Sequence, residues 1–242
     1  EDSGSCVLSN GAYEMQLDAR AQGSARLAGR LIYQNAPQIA LDGERLFSSE
    51  AELWEFSEDK CRYRQSLNDV ACELTVSAAS GDCGELRTLQ LKSGADKRLS
   101  LRFSFTPVLA SFDDYVNHPA FWRLGIFAKA EGKRLFLRRA RRGDAGELWL
   151  CLACDKKGGL GWLSEPLVSA QTELTLKAGE LLALRFALCA GFSQKEAEEG
   201  AERILAASQL DCGNMVSASA TLLGLSAEEI GAAMDMLPDL LH

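Results

Sequence analysis

A chain of 242 residues, 47% of them hydrophobic and 25% charged, is long enough and apolar enough to bury a full globular core. Its formal net charge of −8 argues against a nucleic-acid binder, which needs a basic excess to neutralise phosphates, and against an anionic membrane surface. The sequence shows no signal peptide and no apolar run of the roughly 18 residues that a membrane-spanning helix needs.

Apolar and polar residues alternate from residue 6 to about residue 191, and this pattern predicts β-strands. Turn-forming pairs such as Asn10-Gly11 and Asp42-Gly43 separate the alternating segments. Many short strands in succession, without helices between them, predict antiparallel sheets packed as a large β-sandwich. The clearest strand segments are 13–19, 71–77, 85–92, 97–105, 135–137, 147–153, 173–177 and 181–188.

The periodicity changes after Phe192. Ser193 and Glu196 have the spacing of a capping box, which predicts a helix that ends near Leu210. A second box begins at Ser226 and predicts another helix, which Pro238 would end or kink. We therefore expect a β-sandwich domain over residues 1–192 and a helical linker over residues 193–242. The chain begins with glutamate instead of methionine and stops in apolar sequence, so we expect it to be processed or excised from a longer polypeptide.

Most of the eight cysteines lie in apolar, strand-like segments. A thiol in such a segment packs as a small hydrophobic group, so we expect reduced cysteines and a cytoplasmic location. Cys151 and Cys154 have the spacing of a zinc or redox pair, but positions three apart on a strand face opposite sides. No second pair completes a ligand set, so we expect neither a metal nor a cofactor.

The sequence predicts no catalytic residue. His118 is one of only two histidines, and no Gly-x-Ser-x-Gly turn supplies a nucleophile for it. Paired carboxylates act across space, so Asp113, Asp114 and Glu165 stay open as candidates among 34 acidic residues.

Aromatic rings stack on the faces of sugars, and the apolar-aromatic segment 105–124 is the most informative part of the chain. We consider Tyr115, His118, Trp122 and Trp162 candidates for carbohydrate contact, with packing in the core as the alternative for each tryptophan. For His118 the alternative is a structural imidazole that fixes the backbone before Pro119. Trp149 alternates with strand residues, which predicts a core position.

Residues 133–142 include six basic residues in ten. Two interpretations are open: a solvated hairpin edge whose charge prevents sheet-to-sheet aggregation, or a strip that docks an acidic domain or an anionic ligand. In the second case the docking residues are Arg138, Arg139, Arg141 and Arg142.

The order of features over residues 85–142 resembles the N-terminal super-sandwich domain of glycoside hydrolase family 94, formerly glycosyltransferase family 36. The matching features are the strands 85–91 and 99–109, the Asn-His-Pro-Ala-Phe-Trp-Arg-Leu run at 117–124, and the arginine-rich strand 135–139. Residues 223–229 are similar to the linker helix that precedes the (α/α)6 barrel of that family. Residues 21–26 lack the family's glycine-rich aromatic loop, so no substrate contact is transferred there.

Family 94 contains cellobiose and oligoglucan phosphorylases and the phosphorylase-like part of cyclic β-1,2-glucan synthases. The resemblance implies a galactose-mutarotase-like super-sandwich that scaffolds or rims a carbohydrate active site. It also implies an inverting parent phosphorylase or glycosyltransferase whose general acid lies in the barrel, which these 242 residues do not include. The implied partners are a β-glucan or oligosaccharide, the catalytic barrel and a second copy in a homodimer. The implied location is the cytoplasm, or the cytoplasmic part of a membrane-associated synthase. A free-standing carbohydrate-binding protein is the alternative, and an autonomous hydrolase or lyase is the weakest hypothesis.

Overall fold

The computed structural model describes residues 5–48, 52–57, 60–117, 125–139, 147–156, 161–163, 168–207 and 215–217. Within them the chain forms two antiparallel sheets that share one hydrophobic core, which confirms the predicted mainly-β sandwich. No helix among the described residues is long and apolar enough to cross a membrane.

The described part of the first sheet has nine strands. The spatial order is β14-β15-β10-β4-β3-β2-β1-β17, and β5 pairs with β4. In chain order its strands are β1 (Ser5–Ser9), β2 (Tyr13–Asp18), β3 (Gly23–Leu27), β4 (Arg30–Leu41), β5 (Glu44–Arg45), β10 (Lys97–Ser111), β14 (Gly161–Leu163), β15 (Val168–Leu176) and β17 (Met215–Ser217).

The described part of the second sheet has eight strands, in the spatial order β11-β12-β13-β16-β9-β8-β7-β6. In chain order they are β6 (Leu53–Ser57), β7 (Lys60–Leu67), β8 (Val70–Ala78), β9 (Gly84–Ser93), β11 (Ile126–Glu131), β12 (Arg134–Arg139), β13 (Leu148–Cys154) and β16 (Leu181–Gly191). Each strand segment predicted from the sequence corresponds to one of the observed strands, with ends that differ by a few residues.

The core lies between the sheets and follows from the alternation in the strands. In β8 the burial pattern alternates along the whole strand, so every second side chain points into the sandwich. Phe103 of the nine-stranded sheet stacks on Phe186 of the eight-stranded sheet, with ring centroids 4.7 Å apart. Aromatic contacts of this kind hold the two layers together.

A helix, α2 (Gln194–Ala206), packs on the outer face of the eight-stranded sheet. Ser193 caps it by accepting a hydrogen bond from the Glu196 N–H at 3.1 Å, as the sequence predicted. The helix ends at Ala206, four residues before the predicted end, and residues 208–214 lie outside the described part of the chain. Small residues on α2 allow a close approach to the sheet, since a Cβ on Gly200 would overlap the Cys189 sulfur.

Helix α1 (Phe112–Asn117) follows β10 directly and was not predicted from the sequence. Two register shifts between β10 and β4, on either side of Pro107, break the regular ladder just before it. Leu109 adopts a positive φ of 51° at the second shift, a backbone conformation that bulges tolerate better than regular strands. The strand β17 was not predicted either, and it pairs with β1 inside the region expected to be a helical linker.

The structure corrects the expectation of eight reduced cysteines. Cys6 on β1 and Cys61 on β7 form a disulfide that links the two sheets. Both side chains are buried, so the sequence could not distinguish them from packed thiols. The other described cysteines, at positions 72, 83, 151, 154 and 189, are free.

Candidate functional site

Tyr115 is the one predicted carbohydrate contact whose side chain is described. It lies on α1, is half-buried, and packs against Leu31, Val108 and Ala110 on the outer face of the nine-stranded sheet. Ser111 and Asp114 exchange hydrogen bonds at the start of the helix, where the Ser111 hydroxyl donates at 2.6 Å and accepts from the Asp114 N–H at 3.2 Å. Asp114 therefore stabilises α1, which explains its position without a catalytic role.

Two of the exposed side chains of α1 are apolar, and one of them lies beside an arginine. Phe112 is 46% exposed and Val116 is 53% exposed. The Arg26 guanidinium, which reaches over from β3, lies 5.2 Å from the centre of the Phe112 ring. We call Arg26, Phe112, Tyr115 and Val116 the α1 surface.

Several predicted site residues lie outside the described residues: His118, Trp122, Arg141, Arg142 and the candidate carboxylate Glu165. Trp162 has a described backbone, which pairs with Ala170 at the edge of the nine-stranded sheet. Two of these candidates, His118 and Trp122, follow α1 in the chain, three and seven residues after Tyr115.

The basic strip does not lie at an edge of its sheet, because β12 pairs with β11 on one side and β13 on the other. Arg138 points outward, where its guanidinium lies 5.2 Å from the Phe127 ring centre and 5.5 Å from that of Trp149. Glu147 forms an ion pair with Arg138, with an N–O distance of 3.4 Å. Trp149 is partly buried and packs against the cluster beneath α2.

Arg139 occupies the opposite face of β12. It is only 9% exposed, and its Nη1 donates to the Val108 carbonyl at 3.1 Å. The structure therefore removes Arg139 from the proposed docking strip and makes it a link between the two sheets. The physical reason is the alternation of a strand, which sends adjacent arginines to opposite faces.

A fully buried polar network lies inside the sandwich. Glu85 and Arg87 share the inner face of β9, both with no exposed surface, and the Arg87 Nε donates to Glu85 Oε1 at 2.6 Å. The hydroxyls of Tyr13 and Tyr33 donate to Glu85 Oε2 at 2.9 Å and 2.6 Å. Arg87 Nη2 donates to the Tyr33 hydroxyl at 3.2 Å, which closes the network.

The network shifts the proton affinities of its members. Burial, followed by the Glu85 charge, raises the pKa of Tyr13 and of Tyr33 well above the ordinary value for a phenol. Burial by itself lowers the pKa of Arg87, but the Glu85 charge and the hydrogen bonds to Glu85 and Tyr33 outweigh it and raise that pKa overall. Both phenols are therefore neutral and the guanidinium is charged at neutral pH.

This network holds the sheets together and does not form an active site. A catalytic acid or base must reach a substrate within hydrogen-bond distance, and these side chains have no contact with solvent. Arg87 Nη1 is buried without a hydrogen-bond partner among the described residues. The sequence analysis did not predict that Glu85 and Arg87 are buried. The alternation of β9 carried that signal, because residues 85 and 87 share a face with the buried Leu89 and Leu91.

Burial disfavours the thiolate form of the free cysteines of β13. Burial raises the pKa of Cys151 to about 12 and that of Cys154 to about 11. As predicted, the two lie on opposite faces of β13: Cys151 packs beneath α2 and Cys154 in the main core. Among the described residues, no group of three or more His, Cys, Asp or Glu side chains is placed to hold a metal ion.

Solved structures share this fold at low sequence identity. A protein described as a kojibiose phosphorylase from the human microbiome matches 84% of this chain and 33% of its own, with a TM-score of 0.54 and 10% identity. A bacterial glucoamylase complexed with acarbose matches 82% of this chain and 33% of its own, with a TM-score of 0.52 and 9% identity. The Slr1438 protein from Synechocystis matches 80% of this chain and 97% of its own, with a TM-score of 0.52 and 7% identity.

The chain thus spans about a third of the two enzymes and nearly all of the third protein. Its fold is shared with domains of carbohydrate-active enzymes. No protein-family model and no curated protein sequence matches it.

Proposed function

We propose that this chain is a non-catalytic β-sandwich module of a carbohydrate-active enzyme, of the glycoside phosphorylase or cyclic β-1,2-glucan synthase type. In this proposal the module contributes the α1 surface to the rim of a saccharide site and has no turnover of its own. The catalytic groups belong to a helical barrel that is not part of these 242 residues.

The α1 surface is the observation that carries the proposal. Phe112 and Val116 lie one helical turn apart and present apolar surface to solvent, and the Ser111 cap and Arg26 hold this surface in place. The Phe112 ring offers a face for the C–H groups of a pyranose, and the Arg26 guanidinium offers donors for its hydroxyls. The fold shared with parts of a phosphorylase and a glucoamylase supports the same class of function.

One observation argues against docking of the barrel on helix α2. If the linker helices packed on a barrel, they would expose apolar surface. The buried residues of α2 all face the sheet, and its open side is charged, with Arg134 bonded to Glu198 at 2.6 Å and to Glu202. Helix α2 therefore offers no apolar docking face for a barrel, and the second predicted helix, which begins at Ser226, lies outside the described residues. The exposed Phe127 beside Arg138 is a described patch that suits docking.

A free-standing carbohydrate-binding protein is the second candidate. Its support is the match to 97% of the Slr1438 chain, in which the same fold makes up almost a whole protein. The two candidates differ in affinity, because a rim that acts with a barrel needs only weak binding, whereas an autonomous receptor needs tight binding.

The experiment is a titration of the chain and of a Phe112→Ala variant with β-linked gluco-oligosaccharides, followed by isothermal calorimetry. We expect millimolar binding that Phe112→Ala weakens at least about tenfold, since stacking on one aromatic ring contributes on the order of 1–3 kcal/mol in comparable contacts. Phe127→Ala is the matched control, because Phe127 is an equally exposed phenylalanine on the other sheet and also contacts an arginine.

Micromolar affinity would favour the free-standing receptor. Equal binding by the chain and by Phe112→Ala would contradict a role for the α1 surface. Release of glucose, or of a sugar phosphate when inorganic phosphate is present, would contradict a non-catalytic module.

A further inference from the structure

The outer face of the eight-stranded sheet is divided into an apolar and a polar half. Helix α2 covers the apolar half, where Leu86, Ala187 and Cys189 point away from the sandwich core. Beyond the helix the same strands change to polar residues at their outward positions. On β9, for example, Leu86 is followed outward by Thr88, Gln90 and Lys92. Among the described residues, no helix or loop covers this polar half of the face.

The strand registers order these polar residues into a grid, which we call the polar grid. It has three rows across β7, β8, β9 and β16. Neighbouring strands are about 4.8 Å apart, and side chains on the same face of a strand are about 6.8 Å apart. The rows are Arg62, Thr75, Thr88 and Arg185; then Arg64, Glu73, Gln90 and Ala183; then Ser66, Ala71, Lys92 and Leu181.

Ion pairs hold the charged members of the polar grid in place. Glu73 accepts from Arg64 Nε at 2.6 Å and lies 3.3 Å from Arg62 Nε. Asp155 accepts from both the backbone N–H and the Nε of Arg185, at 2.9 Å and 2.7 Å. These pairs fix the orientation of the guanidinium groups and largely cancel their charge.

Other polar groups in the polar grid have no partner in the described part of the chain. The side chains of Gln90 and Lys92, and the terminal nitrogens of Arg64 and Arg185, make no hydrogen bond to another described residue. They offer donors and acceptors on the part of the face that the described residues leave open.

Two adjoining grooves lie along the second and third rows of the polar grid. One has a volume of about 300 Å³ and is lined by Arg64, Glu73, Gln90 and Lys92, with Leu181 beside them. The other has a volume of about 630 Å³ and continues past the turn between β7 and β8. Ser66, Ala71 and Lys92 line both, so the grooves form one depression. Its total size is within the range of about 300–1,000 Å³ that small-ligand sites occupy.

We propose that the polar grid binds a neutral oligosaccharide. Sugar hydroxyls both donate and accept, so they match rows in which amide, hydroxyl, carboxylate and guanidinium groups alternate. The apolar side chains of Ala71 and Leu181 offer contact for the C–H face of a ring. The arginines of the grid are paired with carboxylates, which leaves Lys92 as the unpaired charge of the grid among the described residues. Together with the net charge of −8 on the chain, this disfavours a highly anionic glycan.

This site is separate from the α1 surface, which lies on the outer face of the opposite sheet. Its failure and the failure of the proposed function are therefore distinguishable: Phe112→Ala tests the α1 surface alone, and substitutions in the grid test the grid alone. The inference rests on the proposed function in one respect, because it assigns a second carbohydrate contact to the same chain.

The test uses linear, neutral β-glucohexaoses as probes and a triple variant, Thr75→Val, Thr88→Val and Gln90→Leu. These changes preserve side-chain size and the tendency to form strands, but remove hydroxyl and amide groups from two rows. We expect the affinity to fall at least about tenfold in the triple variant, since each lost hydrogen bond contributes about 0.5–1.5 kcal/mol. Thr175→Val, an exposed threonine on β15 of the other sheet, is the matched control and is expected to change nothing.

Salt dependence distinguishes the ligand class. A neutral ligand is expected to bind equally at low and high salt, because only charge–charge attraction is screened. The proposal is overturned if no neutral hexaose binds, if the triple variant binds as well as the unmodified chain, or if Thr175→Val loses as much affinity. Binding of only a sulfated or uronic hexasaccharide, in a salt-dependent way, also overturns it.

Discussion

The Arg87 guanidinium donates to the Glu85 carboxylate at 2.6 Å between two positions of one strand, and neither side chain has any exposed surface. An ion pair removed from water in this way loses its hydration, so each partner depends on the other for compensation. Tyr13 and Tyr33, from two strands of the opposite sheet, complete the set of hydrogen bonds. The network therefore fixes how the two sheets face each other.

Glu85→Gln is expected to destabilise the chain by about 3–5 kcal/mol, because it leaves the Arg87 charge buried without a counter-charge. The double variant Glu85→Gln with Arg87→Met removes that charge while keeping an acceptor for both tyrosines. We expect the double variant to be more stable than Glu85→Gln alone, as measured by urea unfolding. A double variant that is less stable than Glu85→Gln would show that the charge pair is not what the core depends on.

The buried tyrosines predict a loss of stability at alkaline pH. Burial raises the pKa of Tyr13, Tyr33 and Tyr63 above the value near 10 of an unfolded chain, so above that pH the unfolded state releases protons that the folded state keeps. Their contribution to stability is full below about pH 10 and is lost as pH rises toward the higher folded values.

In an alkaline titration, the phenolate absorbance of these three tyrosines should appear together with the loss of tertiary circular dichroism. Phenolate from all four tyrosines of the chain while the tertiary signal is still native would contradict the buried network.

The disulfide between Cys6 and Cys61 predicts two results. Thiol titration after denaturation should count two fewer thiols without reductant than with it. Reduction should also destabilise the chain by about 4 kcal/mol, the chain-entropy value for a closed loop of 55 residues. Cys72→Ala is the control, because Cys72 is a buried free thiol and its loss leaves the thiol difference unchanged. Equal thiol counts with and without reductant would mean that the pair is reduced.

Gly200→Ala is expected to destabilise the chain by about 1–3 kcal/mol, although alanine is the better helix former by about 1 kcal/mol. The reason is contact, because the added methyl group would overlap the Cys189 sulfur beneath α2. Glu199→Ala, on the exposed side of the same helix, is the control and should have little effect. A stabilised Gly200→Ala variant would show that α2 is not packed this closely on the sheet.

The sequence predicted the fold well where burial alternates. Strands such as β2 and β8 have one face in the core, so their periodicity is visible without any tertiary information. The Ser193 cap was also predictable, since a capping box is a local signal. Helix α1 was not, because the bulges that place it depend on pairing between β10 and β4.

The sites were less predictable, because they depend on which strands are neighbours. Arg138 and Arg139 looked equivalent in the basic strip, yet only one of them reaches the surface. The polar grid cannot be recognised in any single strand, because it depends on strand pairing. Gln90 of β9, for example, lies between Glu73 of β8 and Ala183 of β16, and it lines the groove together with Glu73. The pairing of Cys6 with Cys61 likewise depends on the packing of one sheet on the other.

The most direct test of the central claim is a calorimetric titration of the unmodified chain with β-1,2-, β-1,3- and β-1,4-linked gluco-oligosaccharides in the presence of inorganic phosphate, followed by product analysis. The account predicts saturable binding of at least one linkage and complete recovery of the intact oligosaccharide. Absence of binding across all three linkages, or release of any shorter sugar or sugar phosphate, would contradict a non-catalytic carbohydrate-contacting module.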